Sequence, residues 1–407
     1  MEMRMKEVRV GIIGIGNMGS AHAANIYDGK VQNMRLSAIC DLEECKLQWA
    51  ETRLPGVKLY RDYRELLSSK EVDAVIIATP HKLHPVIAGE AFTAGLHVLT
   101  EKPAGIDVRS VKEMNAAAGK AQKVFGIMYN QRTNPLFARL KQMVAKGELG
   151  ELKRMVWIIT NWYRTQSYYD SGDWRATWNG EGGGVLLNQC PHNLDIWQWI
   201  TGMPVKVQAH CQYGRHHDIE VEDDVTIWAE YTNGATAAFI TSTGEYPGTN
   251  RLEISGTKGK AVIENGALKW YALEKDERTI CIQETENTSH EPVLYQEVLP
   301  KEQETAHLGI LQNFTDAILK EEKLLAPGEE GIWGLSISNA AYLSDWTGRT
   351  VTLPLSEEDE EAFCRLLKEK QEAELRLGGR KTESQQKAGE VDSTAAGTYE
   401  NRWSVRW

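Results

Sequence analysis

Between residues 8 and 129, short and almost wholly apolar runs alternate with stretches whose apolar residues recur at helical spacing. RVGIIGIG (9–16), RLSAICD (35–41), DAVIIAT (73–79), HVLTEKP (97–103) and KVFGIMY (123–129) read as strands. HPVIAGEAFTAG (84–95) and VRSVKEMNAAAGKA (108–121) read as helices between them. Single helices joining successive strands imply parallel βαβ units, and strands that are apolar on both faces fit a sheet covered on both sides. The first half is expected to be a doubly wound (Rossmann-type) parallel sheet.

After a helix around 135–146 the pattern changes to longer, alternating runs: 151–163, 206–214, 224–243, 251–265 and 268–275. Asn-Gly and Gly-x-x-Gly turns inside and between them are hairpin chemistry. The second half therefore reads as an α+β domain with one large, mostly antiparallel sheet and helices near 191–200, 304–321 and 331–346. Residues 1–130, 131–377 and 378–407 are the expected first domain, second domain and polar flexible tail. That tail has little to bury, although it ends in Trp403 and Trp407.

Composition narrows the classes. With 407 residues, 42% of them hydrophobic and 25% charged, the chain is a soluble globular protein of about two domains. No apolar run approaches the roughly 20 residues of a membrane span, and the N-terminus has no signal-peptide layout, so the cytoplasm is the expected location. A formal charge of −11 disfavours nucleic acid and anionic membranes as partners. The six cysteines form no CxxC pair, which indicates neither a disulfide framework nor a zinc cluster, and no metal is expected.

Gly14-Ile15-Gly16-Asn17-Met18-Gly19 lies between the first strand and the first helix. Glycines there permit a tight turn and close approach of the backbone to a pyrophosphate at a helix N-terminus. Asp41, 22 residues past Gly19 at the end of the second strand, suits a ribose 2′-hydroxyl and would repel a 2′-phosphate. Leu42-Glu43-Glu44 offers no base for such a phosphate, so NAD is favoured over NADP.

Lys102 lies at the end of the fourth of these strands, at the sheet's carboxyl edge, where ligands bind in open α/β folds. His192 falls in the first turn of a helix that Pro191 opens and Gly202 ends. The helix dipole there keeps the ring neutral and ready to accept a proton.

ATPHKLHP (78–85), GLHVLTEKP (95–103) and DWRATWNGEGGGVLLNQCPHNLD (173–195) occur in this order. Together they resemble the glucose–fructose oxidoreductase, inositol dehydrogenase and rhizopine-catabolism (Gfo/Idh/MocA) family over roughly residues 8–355. The resemblance implies a dehydrogenase that oxidises a secondary ring hydroxyl of a sugar, glycoside or inositol, with Lys102 and His192 catalytic. It implies cofactor contacts from Thr79, Pro80, His84, Glu101, Lys102, Asn130, Arg132, Trp174 and Arg175. It implies substrate contacts from Lys102, Asn188, His192, Asp195 and Trp174. Many members carry an aspartate four residues before the histidine, where this chain has Asn188. Relatives associate through the large sheet, so a homodimer or tetramer is expected, with Trp157 and Trp228 as candidate interface residues. Two other functions stay open: an NAD-dependent glycosidase that regenerates its cofactor within each cycle, and a non-catalytic NAD- or sugar-sensing protein.

Overall fold

The computed structural model describes residues 6–172, 174–300 and 303–376. Six strands, β1 (Val8–Ile13), β2 (Met34–Cys40), β3 (Lys58–Tyr60), β4 (Ala74–Ile77), β5 (His97–Thr100) and β6 (Phe125–Ile127), form a parallel sheet in the order β3-β2-β1-β4-β5-β6. Helices cross over between most of them. The order reverses at β1, so the loops after β1 and β4 open the crevice where a ligand sits in such sheets. The central strands β1, β4 and β5 are buried almost throughout, which is why their sequences are continuous apolar runs.

Each expected strand exists but ends sooner than its apolar run. β5 stops at Thr100, so Glu101 and Lys102 stand in the turn beyond the sheet edge rather than in the strand. The short β3 was not anticipated.

Nine further strands make the second sheet: β7 (Leu152–Ile159), β8 (Lys206–Tyr213), β9 (Glu222–Glu230), β10 (Thr236–Ser242), β11 (Asn250–Gly256), β12 (Gly259–Glu264), β13 (Ala267–Leu273), β14 (Val293–Val298) and β15 (Val351–Thr352). Their order is β14-β13-β12-β11-β7-β10-β9-β8-β15, antiparallel except where β10 runs parallel to β7. The runs 224–243 and 251–265 are each two strands folded back at Asn233-Gly234 and at residues 257–258. Helices Pro135–Ala145, Pro191–Thr201, Ala306–Lys320 and Gly331–Thr347 appear where the pattern placed them.

Trp157 faces the inside of this sheet, fully buried against Phe137 and Phe239, and so is unavailable to a partner subunit. Its apolar area is spent within the chain. Trp228 is on the open face, 40% exposed. A helix not foreseen, Glu357–Arg376, closes the described chain; the expected tail with Trp403 and Trp407 lies outside the described residues. No helix of the described residues is long and apolar enough to cross a membrane.

Candidate active site

The glycine-rich turn is built so that only glycine fits at two of its positions. Gly14 has φ +87°, and a Cβ there would stand 2.7 Å from the carbonyl oxygen of Ala78; at Gly19 it would stand 1.9 Å from that of Gly14. Around Gly16, by contrast, the space is open, and the helix Asn17–Tyr27 starts from it without a side-chain cap. The first N–H groups of that helix, those of Asn17 and Met18 among them, are left to an incoming anion. The residues present therefore fit a pyrophosphate.

The Asp41 carboxylate accepts from the N–H of Ile15 (2.8 Å) and of Glu43 (3.0 Å), tying the turn to the end of β2. Lys46 reaches back to within 3.8 Å of Asp41 and 2.6 Å of Glu43. Inspection of Leu42-Glu43-Glu44 alone overlooked this base, which the first turn of the helix Glu44–Arg53 supplies.

Thr79 and Pro80 follow β4, and the buried Thr79 hydroxyl has no protein partner. His84 is fully buried between two main-chain carbonyls, with Nδ1 2.8 Å from Pro103 O and Nε2 2.8 Å from Thr79 O. Burial lowers the pKa of this ring, and a neutral imidazole has a single N–H, so it donates to one of the two carbonyls of the loops after β4 and β5 while its other nitrogen lies against the second.

Glu101 also turns inward. Its carboxylate meets Nε2 of the buried His22 at 2.7 Å and accepts from its neighbour's N–H, that of Lys102, at 3.1 Å. Although burial opposes ionisation, His22 holds the Glu101 carboxyl down at about 2. The glycine-turn helix is thereby bolted to the residue before Lys102. His22 was not foreseen.

Lys102 donates to the carbonyl of Asn188 (2.9 Å), which uses one of its three protons and leaves two for another acceptor. Burial, with the charges of Arg175 and Arg164, lowers its pKa, while Glu101 and Glu181 act in the opposite sense. His192 is buried near Tyr129 (ring centroids 6.2 Å apart), and its Nδ1 has no protein partner. Burial, reinforced by the charge of Lys102, holds its pKa well below the ordinary 6.5, so the ring is neutral and free to accept. The Oδ1 of Asn130 is likewise buried without a partner. Unpartnered buried polar atoms are rare, and among the described residues Thr79, Asn130 and His192 carry three of them, after β4, after β6 and in the first turn of the helix Pro191–Thr201.

Arg132 and Asp195 are brought together instead of facing the crevice. The guanidinium grips the carboxylate through two bonds (2.8 and 2.6 Å), both groups almost wholly buried, and Gln198 adds a third (3.0 Å). The pair clamps the loop after β6 to the His192 helix. Arg132 also pairs with Glu330 and donates to the Leu325 carbonyl (3.1 Å), so two carboxylates and a main-chain oxygen engage its guanidinium within the chain.

The segment from Trp174 to Asn188 forms the opposite wall. Trp174 meets His81 edge-on, and Arg175 lies over the rings of Trp174 and Tyr168 and donates to the Tyr168 hydroxyl (2.9 Å). Asn188 is bonded to the buried carboxylate of Glu181. Its last turn before His192 rests on Glu222, whose carboxylate accepts from Gly184 N–H (2.9 Å), Leu186 N–H (2.9 Å) and the Tyr342 hydroxyl (2.6 Å). A Cβ at Gly184 would stand 2.0 Å from the Glu222 carbonyl oxygen, so the glycine run exists for close approach. At its other end, Glu374 of the last helix accepts from the N–H groups of Trp178 and Asn179 (2.9 Å each). Tyr168, Glu181, Glu222 and Glu374 escaped the sequence reading. Glu181 alone gave a local signal, an acid placed directly before three glycines.

Comparison with known proteins agrees with this architecture. The model of the oxidoreductase family with NAD-binding Rossmann fold matches residues 8–129, and that of the GFO/IDH/MocA C-terminal domain matches 137–262. Myo-inositol 2-dehydrogenase of Thermotoga maritima is 25% identical over 354 residues, 85% of this chain and 98% of that one. Trans-1,2-dihydrobenzene-1,2-diol dehydrogenase of Bos taurus is 32% identical over 208 residues, 51% of this chain and 59% of that one. The WlbA dehydrogenase of Bordetella pertussis, solved with NADH and UDP-GlcNAcA, superposes with a TM-score of 0.74 at 25% identity, covering 87% of this chain and 100% of that one. With both its halves matched, the chain belongs to the GFO/IDH/MocA family of NAD-dependent oxidoreductases.

Proposed function

We propose that the protein oxidises a secondary ring hydroxyl of a sugar, glycoside or inositol to a ketone, with residues 1–130 holding NAD and 131–377 presenting the substrate. The observation that carries this reading is the pairing of a half-buried lysine, Lys102, which keeps two donors free of the Asn188 carbonyl, with a buried imidazole, His192, that burial and Lys102 hold neutral, beside the glycine-rich crevice. When bound, NAD supplies the acceptor for the hydride. Lys102 donates to the substrate oxygen and stabilises the negative charge that develops on it; His192 takes the hydroxyl proton. Asn17, Met18 and Asp41 are the residues suited to hold the dinucleotide.

A ring rich in hydroxyls is the kind of substrate proposed; a cavity of about 390 Å³ next to the His192 helix, whose lining includes neither Lys102 nor His192, offers polar groups suited to such a ring. Its lining includes the amides of Gln131, Asn134, Asn193, Asn250 and Gln303, and the Gln131 carbonyl oxygen is buried without a partner. Amides can both donate to and accept from hydroxyls. Myo-inositol, named for one similar protein, is of this kind, whereas trans-1,2-dihydrobenzene-1,2-diol, named for another, is a cyclic diol.

A panel of inositols, monosaccharides and glycosides supplied with NAD tests the reading. Net NADH should accumulate with the wild type on at least one member and vanish in Lys102→Met. Glycoside cleavage without net NADH would replace the dehydrogenase with a cofactor-recycling glycosidase.

A further inference from the structure

We infer that Glu181 is a positioning residue for this reaction: its buried carboxylate fixes the Asn188 unit that carries the Lys102 ammonium, and its negative charge offsets those of Lys102 and Arg175. The inference rests on the role proposed for Lys102.

Glu181 is 1% exposed and belongs to no element that requires an acid there. Both hydrogen-bond partners of its carboxylate among the described residues donate: Ala176 N–H to one oxygen (2.7 Å) and the Asn188 amide to the other. Burial raises the pKa of this carboxyl, while Arg175, the Ala176 N–H, the Asn188 amide and Lys102 act in the opposite sense and favour the ionised form that such a set of donors suits. The rest of the network has one direction. Arg175 donates to the Tyr168 hydroxyl (2.9 Å), Tyr168 donates to Asn188 Oδ1 (3.4 Å), and the Asn188 amide donates to Glu181. The main-chain carbonyl of that same Asn188 receives the Lys102 ammonium. The Asn188 side chain is thus occupied on both sides, and its orientation is set by Glu181 and Tyr168.

The charges around Lys102 explain why an acid is needed. Lys102 faces two cations, Arg175 and Arg164, and two carboxylates, Glu101 and Glu181. Glu101 is already engaged by His22. Glu181 faces Arg175 and Lys102, with the neutral Asn188 amide on one oxygen and the His81 ring on its carbonyl (3.0 Å). Burial alone drives Lys102 towards the uncharged amine, which could not stabilise an alkoxide; Glu181 works against that.

The test reads Lys102 without using turnover. Full-length protein is trace-labelled with acetic anhydride across pH 6 to 11, and the Lys102 peptide is quantified by mass spectrometry, which gives the titration midpoint of that amine. In Glu181→Gln the midpoint should fall by about one pH unit or more, as expected when an adjacent opposite charge is removed. In Glu181→Gln/Asn188→Asp, where the carboxylate moves by one hydrogen bond, the midpoint should return towards the wild type. A Glu181→Gln midpoint that does not move, or a double variant no different from Glu181→Gln, overturns the inference. Should Glu181→Gln not fold, the double variant decides by itself: a wild-type midpoint supports the inference and a displaced one overturns it. Turnover by Lys102→Met is judged separately, because full activity in that variant would remove Lys102 from the reaction whatever Glu181 does to it.

Discussion

Replacing Glu222 with glutamine tests how the wall that leads to His192 is held. Glu222 is completely buried under the glycine run, and three donors converge on it. Burial nevertheless dominates and raises its carboxyl from the ordinary 4.5 to about 7, against the pull of Tyr342 and of the N–H groups of Leu186 and Gly184. Between these two values the folded chain holds a proton that the unfolded chain has lost. Stability from this residue is therefore full below pH 4.5 and falls as pH rises through about 7. At about 1.4 kcal/mol per pH unit, the whole change is about 3 kcal/mol.

Glutamine does not titrate, but its NH₂ must face one of the N–H donors, and a stranded buried donor costs about 1–3 kcal/mol. Glu222→Gln should thus be less stable than the wild type at pH 5 by about that amount. The gap should close or reverse by pH 8, where the wild type carries a buried negative charge. Urea unfolding followed by tryptophan fluorescence at pH 5, 6, 7 and 8 measures the difference. A gap that stays constant within about 1 kcal/mol across this range would show that Glu222 ionises as an ordinary carboxylate, and the argument from burial would fail.

The site itself supports four further tests. Lys102→Met should lower kcat/KM by about 10²-fold or more with unchanged NAD affinity, measured by fluorescence titration; near-normal turnover removes it from the mechanism. In the wild type, kcat/KM for oxidation should rise with pH to a plateau, its midpoint below 6.5 because His192 is desolvated beside Lys102, and His192→Ala should erase that limb and cost about 10²–10⁴-fold. Asp41→Ala should weaken NAD more than NADP by about 1–3 kcal/mol; a wild type that already prefers NADP, with Lys46 beside Asp41, would refute the specificity argument. Glu374→Gln, which leaves Trp178 or Asn179 N–H short of an acceptor, should cost about 1–3 kcal/mol in urea unfolding, and an unchanged midpoint would show that the last helix does not anchor the loop.

What could be read from the chain follows from the range of the interactions concerned. The parallel sheet was legible because its strands are buried on both faces, and Gly14, Gly16 and Gly19 because the backbone geometry they serve is local. Lys102 and His192 were legible for a similar reason, each lying in a compact motif at the end of an element. Strand β14 was missed because none of its six residues is buried, so no alternation marks it. The last helix was missed because it is mostly charged, yet two of its four buried residues are glutamates, and one of them, Glu374, holds a loop 195 residues earlier in the chain. Long-range pairing also recast individual residues. Asp195 and Arg132, 63 positions apart, look like two site residues in sequence, and in the fold they grip each other, with Glu330 as a second carboxylate on the guanidinium. Glu101 looks like a cofactor contact, and 79 positions away His22 claims it. Once these pairs are set aside, the charges left facing the crevice are few. On the proposed mechanism, much of the electrostatic work of the reaction falls to Lys102 and to the carboxylate of Glu181 that faces it.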